Sequence, residues 1–140
     1  MVGAPRSDKS ALTDTGSVFI FRRSGTNWVW TQKIYAFPSQ ANSQFGYSMA
    51  ISGNTLVVGA PYQDYSWYSD NGAAYVFVWI ADEELFQQNE QILRPDTGGS
   101  VLFGYSVAIS GSTIIVGAPQ GGNGVAYVFA PTDFSWGLKQ

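Results

Sequence analysis

The sequence of 140 residues contains neither cysteine nor histidine. Without cysteine the chain has no disulfide, no thiolate metal ligand and no thiol nucleophile, although this absence leaves the cellular compartment open. Without histidine, a Ser-His-Asp triad, imidazole acid–base chemistry and a histidine metal site are all excluded. These two absences remove several of the commonest catalytic centres.

Charged residues are also scarce, since they make up 12% of the chain and leave a net charge of −3. Such a composition gives no basic surface for phosphates or anionic lipids, so we expect no nucleic-acid partner. Apolar runs stay well below the ~20 residues of a membrane span, so we expect no membrane insertion. The 45% hydrophobic and 16% aromatic content instead predicts a globular domain with a sizeable core.

Two short motifs recur along the chain at constant spacing. Phe-Gly-Tyr-Ser occupies residues 45–48 and returns at 103–106, which is 58 positions later. Val-Gly-Ala-Pro occupies residues 2–5, 58–61 and 116–119. Such periodicity indicates one supersecondary unit that buries its apolar faces by stacking on its neighbours. The predicted units lie approximately at residues 1–44, 45–102 and 103–140, within a single domain.

Each unit contains short segments with strand character, which we name A to D. Segment A follows Phe-Gly and ends at a tight glycine turn, and segment B is almost continuously apolar, as in strands buried on both faces. Segment C is rich in aromatic and β-branched residues, and segment D alternates with polar residues, which is typical of an exposed edge strand. Beyond a first B segment that opens at Val2, the predicted strands are 47–51 and 105–109 (A), 55–59 and 113–117 (B), 18–21, 74–79 and 126–129 (C), and 28–34, 86–92 and 136–140 (D).

Four antiparallel strands per unit, with apolar inner strands and a polar outer strand, predict an all-β fold built from propeller blades. Residues 45–61 resemble the FG-GAP repeat of integrin-α-type β-propellers. The resemblance is closest to a bacterial-style variant, in which Gly-Ala-Ala-Tyr-Val-Phe follows the motif, here at 72–77. It covers essentially the whole chain. It implies an extracellular or cell-surface interaction module that recognises ligands on the face formed by its B–C and D–A loops.

The predicted strands number 11, one short of three complete blades, whereas closed propellers have ~4–8 blades. Exposed blade faces and edges favour aggregation, so something must cover them. Two solutions remain open: the chain is part of a longer propeller, or two copies close a six-bladed ring as a homodimer. The position of Met1 inside a B segment favours a truncated form, and we predict a homodimer if this segment is soluble alone.

Carboxylates in the B–C loops are candidate calcium ligands. Many FG-GAP repeats carry an Asp-rich calcium loop in the A–B turn, but this sequence has Ser-Gly-Asn or Ser-Gly-Ser there, without a carboxylate. In the B–C loops, however, Asp8 and Asp14 recur as Asp64 and Asp70, both 56 positions later. The alternative is that Asp-Thr-Gly and Asp-Asn-Gly close ordinary turns, with the Asp side chain satisfying local backbone amides. No other cofactor is predicted.

The B–C loop of the second unit is the candidate ligand-binding loop. Its aromatic residues alternate with hydrogen-bonding residues, a combination that suits protein hot spots or sugar stacking. The candidate ligand-binding residues are Tyr62, Tyr65, Trp67 and Tyr68. The alternative is that the loop folds its rings back over the blade edge. Three tryptophans in or beside strands are expected to pack between blades: Trp28, Trp79 and Trp136.

No catalytic residue is predicted. Residues 46–50 resemble the start of a nucleophile elbow, but they lack its final glycine and its helix, and the segment recurs in the next unit. Residues 82–84 are acidic but lie in one C–D turn, whereas a glycosidase needs opposed carboxylates. We therefore expect a non-enzymatic module that binds protein or glycan. A purely structural segment of a larger secreted or surface protein is the alternative, and an appendage of a secreted hydrolase is a third.

Overall fold

In the computed structural model, the described residues are 1–65, 69–96, 99–120, 122–133 and 135–139. They form three antiparallel sheets and no helix, which confirms the all-β prediction. No helix in these ranges is therefore long and apolar enough to cross a membrane. The three sheets follow one another in chain order, as blades of a partial propeller whose ring is not closed.

Blade 1 consists of β1 (Val2–Ala4), β2 (Ser17–Ser24) and β3 (Asn27–Ile34). Blade 2 consists of β4 (Ser48–Ser52), β5 (Thr55–Ala60), β6 (Ala73–Ile80) and β7 (Leu85–Ile92). Blade 3 consists of β8 (Ser106–Ser110), β9 (Thr113–Ala118), β10 (Val125–Pro131) and β11 (Trp136–Leu138). Strand order within the second and third blades is A-B-C-D, and the first blade is B-C-D. The predicted strands are thus all found, while the division into repeat units stays a prediction.

The two faces of a blade differ in their side chains, because successive residues of a strand point to opposite faces. In blade 2 one face is aliphatic and the other is mainly aromatic. We call them the aliphatic face (Val57, Ala74, Val76 and Ile92) and the aromatic face (Val58, Tyr75, Phe77 and Phe86). The aliphatic face packs on blade 3, and the aromatic face packs on blade 1.

Both junctions between blades follow the same rule. Between blades 1 and 2, Val18 and Ile20 pack against the aromatic face of blade 2. Between blades 2 and 3, the aliphatic face of blade 2 packs against Tyr127 and Phe129, the aromatic face of blade 3. Each fully buried side chain of this kind contributes about 1.5–3 kcal/mol. The blades are therefore held together chiefly by apolar packing.

The Phe-Gly motif locks each blade onto the preceding one. Phe45 and Phe103 are fully buried, and each forms a parallel β-bridge with a glycine of the preceding blade, Gly16 and Gly72 respectively. A Cβ atom added at Gly16 would lie 2.1 Å from the Phe45 carbonyl oxygen, and one at Gly72 would lie 2.0 Å from that of Phe103. Only glycine allows this approach of the two backbones.

Side chains on the outer strands form a second link between blades. The Gln32 amide donates to the Phe86 carbonyl oxygen at 2.8 Å, and its Oε1 accepts from the Phe86 amide at 2.8 Å. At the next junction, Glu90 Oε2 accepts from the Trp136 amide at 3.0 Å. The outer strands therefore contact their neighbours even though they are the most polar of each blade.

The tryptophans expected between blades differ in their surroundings. Trp79 and Trp136 are partly buried against the two cores, as expected. The expectation for Trp28 was wrong, because 67% of this residue is exposed. Its position corresponds to that of Phe86, which is buried by blade 1, whereas the aromatic face of blade 1 has no blade against it.

Candidate functional site

The loops between blades lie at two ends of the molecule. At one end, which we call the upper end, the described residues of the B–C loops (5–16, 61–65, 69–72, 119–120 and 122–124) lie beside those of the D–A connections (35–47, 93–96 and 99–105). The tight A–B and C–D turns lie at the other end. The longer connections are the ones with room for ligand-binding residues.

Three tyrosines converge at the upper end, and we call them the tyrosine cluster: Tyr47, Tyr62 and Tyr105. The rings of Tyr47 and Tyr105 lie 4.9 Å apart between centroids, although they belong to adjacent blades. Tyr62 lies edge-on to Tyr47, with 6.3 Å between the centroids. Tyr47 is 37% exposed and Tyr105 is 39% exposed. The cluster thus offers aromatic surface to solvent across a junction between blades.

The local sequence explains why Tyr47 and Tyr105 face outward. Each follows a Phe-Gly pair whose phenylalanine is fully buried. Gly46 and Gly104 have φ angles of 92° and 89°, a backbone conformation that residues other than glycine rarely adopt. The chain therefore turns sharply between the buried phenylalanine and the following tyrosine.

A hydrogen bond with Tyr105 and, to a lesser degree, desolvation raise the pKa of Tyr47 above the usual value for tyrosine. The phenol therefore stays neutral at physiological pH. The tyrosine cluster offers ring faces for stacking on sugars, apolar groups or cations, and hydroxyls for hydrogen bonds.

Of the described residues in the predicted ligand-binding loop, one joins this cluster. Tyr62 belongs to it, whereas Tyr65 is 54% exposed elsewhere in the same loop. Trp67 and Tyr68 lie outside the described residues. Sequence reasoning missed Tyr47 and Tyr105, although the signal was present: both occupy the third position of the repeated Phe-Gly-Tyr-Ser motif.

A buried polar network anchors the foot of this loop. The Tyr75 hydroxyl, buried in blade 2, donates to Gln63 Oε1 at 3.1 Å, and the Gln91 amide donates to the same hydroxyl at 3.0 Å. Burial raises the pKa of Tyr75. Gln40 Oε1 accepts from the Asp64 amide at 2.6 Å, which ties the loop to the preceding D–A connection. The base of the upper surface is therefore well anchored.

The four aspartates of the B–C loops form two equivalent pairs. Asp8 Oδ1 accepts from the Asp14 amide at 2.9 Å, and Asp64 Oδ1 accepts from the Asp70 amide at 2.9 Å. Asp14 and Asp70 have positive φ angles of 46° and 53°, which aspartate tolerates better than most residues. This geometry matches the turn-closing alternative.

A calcium ion bound by these pairs stays a prediction. Calcium takes ~6–8 oxygen ligands, usually with several carboxylates. Within the described residues, no group of three or more Asp, Glu, His or Cys side chains converges in a way that could hold a metal ion. Each of the first two B–C loops contributes two aspartates, one of which already accepts a backbone hydrogen bond, and residues 119–124 contain no carboxylate.

In blade 3, Tyr127 occupies the position of Tyr75, but its hydroxyl has a different hydrogen-bond partner. The Tyr127 hydroxyl donates to Asp96 Oδ1 at 2.8 Å, and the Arg94 Nε atom lies 3.1 Å from the same oxygen. Desolvation acts to raise the pKa of Asp96, but the hydrogen bonds from Tyr127 and the backbone and the charge of Arg94 outweigh it, so the pKa is lowered. Two neighbouring blades therefore anchor their upper ends by different chemistry.

Comparison with known proteins agrees with this architecture. The FG-GAP repeat model matches residues 28–77 and 86–129. Integrin alpha-PS5 of Drosophila melanogaster is 31% identical over 134 residues, which cover 86% of this chain and 13% of that protein. Integrin alpha-PS3 of the same organism is 29% identical over 140 residues, covering 90% of this chain and 12% of that protein.

The chain spans about one eighth of the length of these curated relatives. The family model nevertheless covers more than half of the chain and includes both Phe-Gly motifs. From the blades, the buried Phe-Gly motifs and this match, the chain belongs to the FG-GAP repeat family.

Proposed function

We propose that this chain is a non-enzymatic interaction module that binds a protein or glycan ligand through its upper end. The observation that carries the proposal is the tyrosine cluster, in which three rings from two blades converge and remain accessible. Large aromatic side chains elsewhere at the junctions, such as Phe45 and Phe103, are fully buried. Exposed, clustered tyrosines are typical of binding surfaces.

The relatives support the same type of function. Two of them are named integrin alpha chains, and an integrin-like module fits an extracellular or cell-surface adhesion role. Because the chain spans only about one eighth of these relatives, its role within a whole protein is part of this proposal.

The ligand chemistry follows from the side chains at the surface. The cluster presents hydroxyls and ring faces, and Tyr65 adds an exposed ring in the loop that carries Tyr62. A sugar ring or an apolar or cationic side chain of a protein would stack on these rings and hydrogen-bond to the hydroxyls. No acid–base pair or nucleophile is required for such binding.

Labelled protein applied to a glycan array and to cultured cells tests this proposal. Tyr47→Ala together with Tyr105→Ala should weaken binding by at least about tenfold, because both stacking surfaces are lost. Ile51→Ala is the control, since Ile51 is 48% exposed and lies beside an A–B turn, at the end opposite the cluster. Melting temperatures of both variants establish that the fold is retained.

Treatment of the cells before binding separates the two ligand classes. Binding that disappears after glycosidase treatment indicates a glycan, and binding that disappears after protease treatment alone indicates a protein. Unchanged binding by the folded double variant would contradict a role for the cluster. Absence of binding to the array and to all cells would favour the second candidate, a purely structural propeller segment.

A further inference from the structure

The aromatic face of blade 1 is uncovered. Val2 is 57% exposed, Trp28 is 67% exposed and Trp30 is 56% exposed. Phe21 lies half-buried beside them, in a shallow apolar depression of about 340 Å³ lined by Met1, Val2, Phe21 and Trp28. At the corresponding positions of blade 2, Val58 and Phe77 are buried. The first blade therefore presents to solvent a face that its neighbour buries.

The aliphatic face of blade 3 is uncovered as well. Ile115 is 43% exposed, Ala126 is exposed and Val128 is half-buried. The corresponding residues of blade 2 are fully buried against blade 3: Val57, Ala74 and Val76. Blade 3 therefore offers the aliphatic half of the junction that occurs twice inside the chain.

The two uncovered faces are the complementary halves of one type of junction. Inside the chain, an aliphatic face always packs on an aromatic face of the next blade. We propose that the aliphatic face of blade 3 docks on the aromatic face of blade 1 of a second copy, in a head-to-tail homodimer. Two copies of three blades give six blades, which lies within the range of closed propellers of ~4–8.

Charge favours this pairing over contact between two first blades. Lys33 Nζ lies 4.8 Å from the centroid of the Phe19 ring, and Arg23 is the cross-strand partner of Trp28. Two such faces packed together would bring these basic groups near their counterparts. Residues 1–44 contain five of the seven basic and two of the ten acidic residues, whereas residues 103–140 contain one Lys and one Asp. A nearly neutral blade 3 is the better partner.

The junction between copies differs from the internal junctions in one respect. Gly124 lies at the position of Gly16 and Gly72, but the atoms nearest to an added Cβ belong to its own loop, in Pro119 and Ala118. The 140 residues contain Phe-Gly at 45–46 and 103–104, and both pairs are used inside the chain, so a second copy of these residues brings none to Gly124. Apolar packing alone holds the two copies together, and we expect a reversible, concentration-dependent dimer.

Light scattering coupled to size exclusion, over a range of protein concentrations, tests the proposal. The expected mass approaches twice 15.2 kDa with rising concentration. Trp28→Ser with Trp30→Ser should raise the dissociation constant about a hundredfold, since two aromatic anchors are lost. Ile115→Lys should raise the dissociation constant to a similar extent, because it places a charge on the aliphatic face of blade 3. Phe37→Ser, an exposed aromatic residue outside both faces, should leave the mass unchanged.

Mixing the variants is the decisive step, because a head-to-tail dimer has two junctions. The tryptophan variant has an intact blade 3, and the Ile115→Lys variant has an intact blade 1. Their mixture should recover dimers with one intact junction, although each variant alone is monomeric. A monomer at every concentration, or a dimer that Ile115→Lys leaves intact, overturns the proposal. The tyrosine cluster plays no part in this experiment, so its outcome is independent of the proposed function.

Discussion

Blades 1 and 2 have the same pattern of residues but very different surroundings. Val58 is fully buried and Phe86 is 8% exposed, whereas Val2 and Trp28 at the corresponding positions are 57% and 67% exposed. The repeat thus specifies which side chains lie on each face of a blade. The presence of a neighbouring blade decides whether those side chains contribute to stability, as expected for repeat proteins.

The largest difference in stability is expected between the glycine of blade 2 that contacts a Phe-Gly motif and its counterpart in blade 3. Gly72→Ala places a Cβ 2.0 Å from the Phe103 carbonyl oxygen at a φ of 80°. Gly124→Ala has a similar φ of 73°, but its nearest neighbour is 3.4 Å away. We expect Gly72→Ala to lower the free energy of unfolding by about 3 kcal/mol more than Gly124→Ala. Chemical denaturation of both variants measures the difference, and equal losses would contradict the locking role of Gly72.

The two buried tyrosines should differ in how much their hydroxyls stabilise blades 2 and 3. Tyr75→Phe leaves buried Gln63 without its hydroxyl donor, which should cost about 1–3 kcal/mol. Tyr127→Phe should cost less than about 1 kcal/mol, because Asp96 is partly exposed and keeps Arg94 as a partner. Urea denaturation of both variants provides the test. A larger loss of unfolding free energy for Tyr127→Phe than for Tyr75→Phe would contradict this order.

The outer-strand link consists of two hydrogen bonds at the first junction and one at the second. A single substitution at Glu90 should give the second junction the same pair of hydrogen bonds. Glu90 accepts one hydrogen bond from Trp136, whereas Gln32 both accepts from and donates to Phe86. Glu90→Gln should raise the free energy of unfolding by about 0.5 kcal/mol, because the amide adds a donor. Gln32→Glu should lower it by a similar amount or more. Thermal melting at neutral pH checks the opposite signs.

Asp96 should make the stability of blade 3 slightly dependent on pH in the acidic range. The partners of Tyr75 in blade 2 are glutamines, which do not titrate there. The pKa of Asp96 is lowered in the folded protein, so its stabilising effect is present above the unfolded value of about 3.9 and is lost as pH falls through the folded value. The effect should stay below about 1 kcal/mol, since the side chain is partly exposed. Stability of wild type and Asp96→Asn, measured from pH 5 to pH 3, should converge on acidification. Parallel curves would exclude this contribution.

Much of the fold was predictable because its signals are local and repeated. The continuous apolar run at 55–59 and the glycine turn before it predict paired inner strands, and both are observed. Even β7, with its polar alternation, lies where the sequence placed it.

The binding surface was less predictable, because it depends on contacts between blades. Tyr47 and Tyr105 lie 58 positions apart, and their motif indicated only a structural role. Trp28 was expected to pack between blades because it lies at the start of a strand, but its burial depends on a neighbouring blade that the strand pattern does not describe. The aspartate pairs left two interpretations open, and the hydrogen bonds that favour turn closure depend on backbone geometry that the sequence does not give.

The parallel bridges between blades bear on how such a protein gains or loses length. Every full unit carries a receiving glycine and its own Phe-Gly, so a duplicated unit brings both halves of the junction that it needs. Insertion of one such unit at a boundary would add a blade without requiring compensating changes in its neighbours. Deletion of part of a unit would instead leave an unmatched half, and a second molecule is then one way to supply the other.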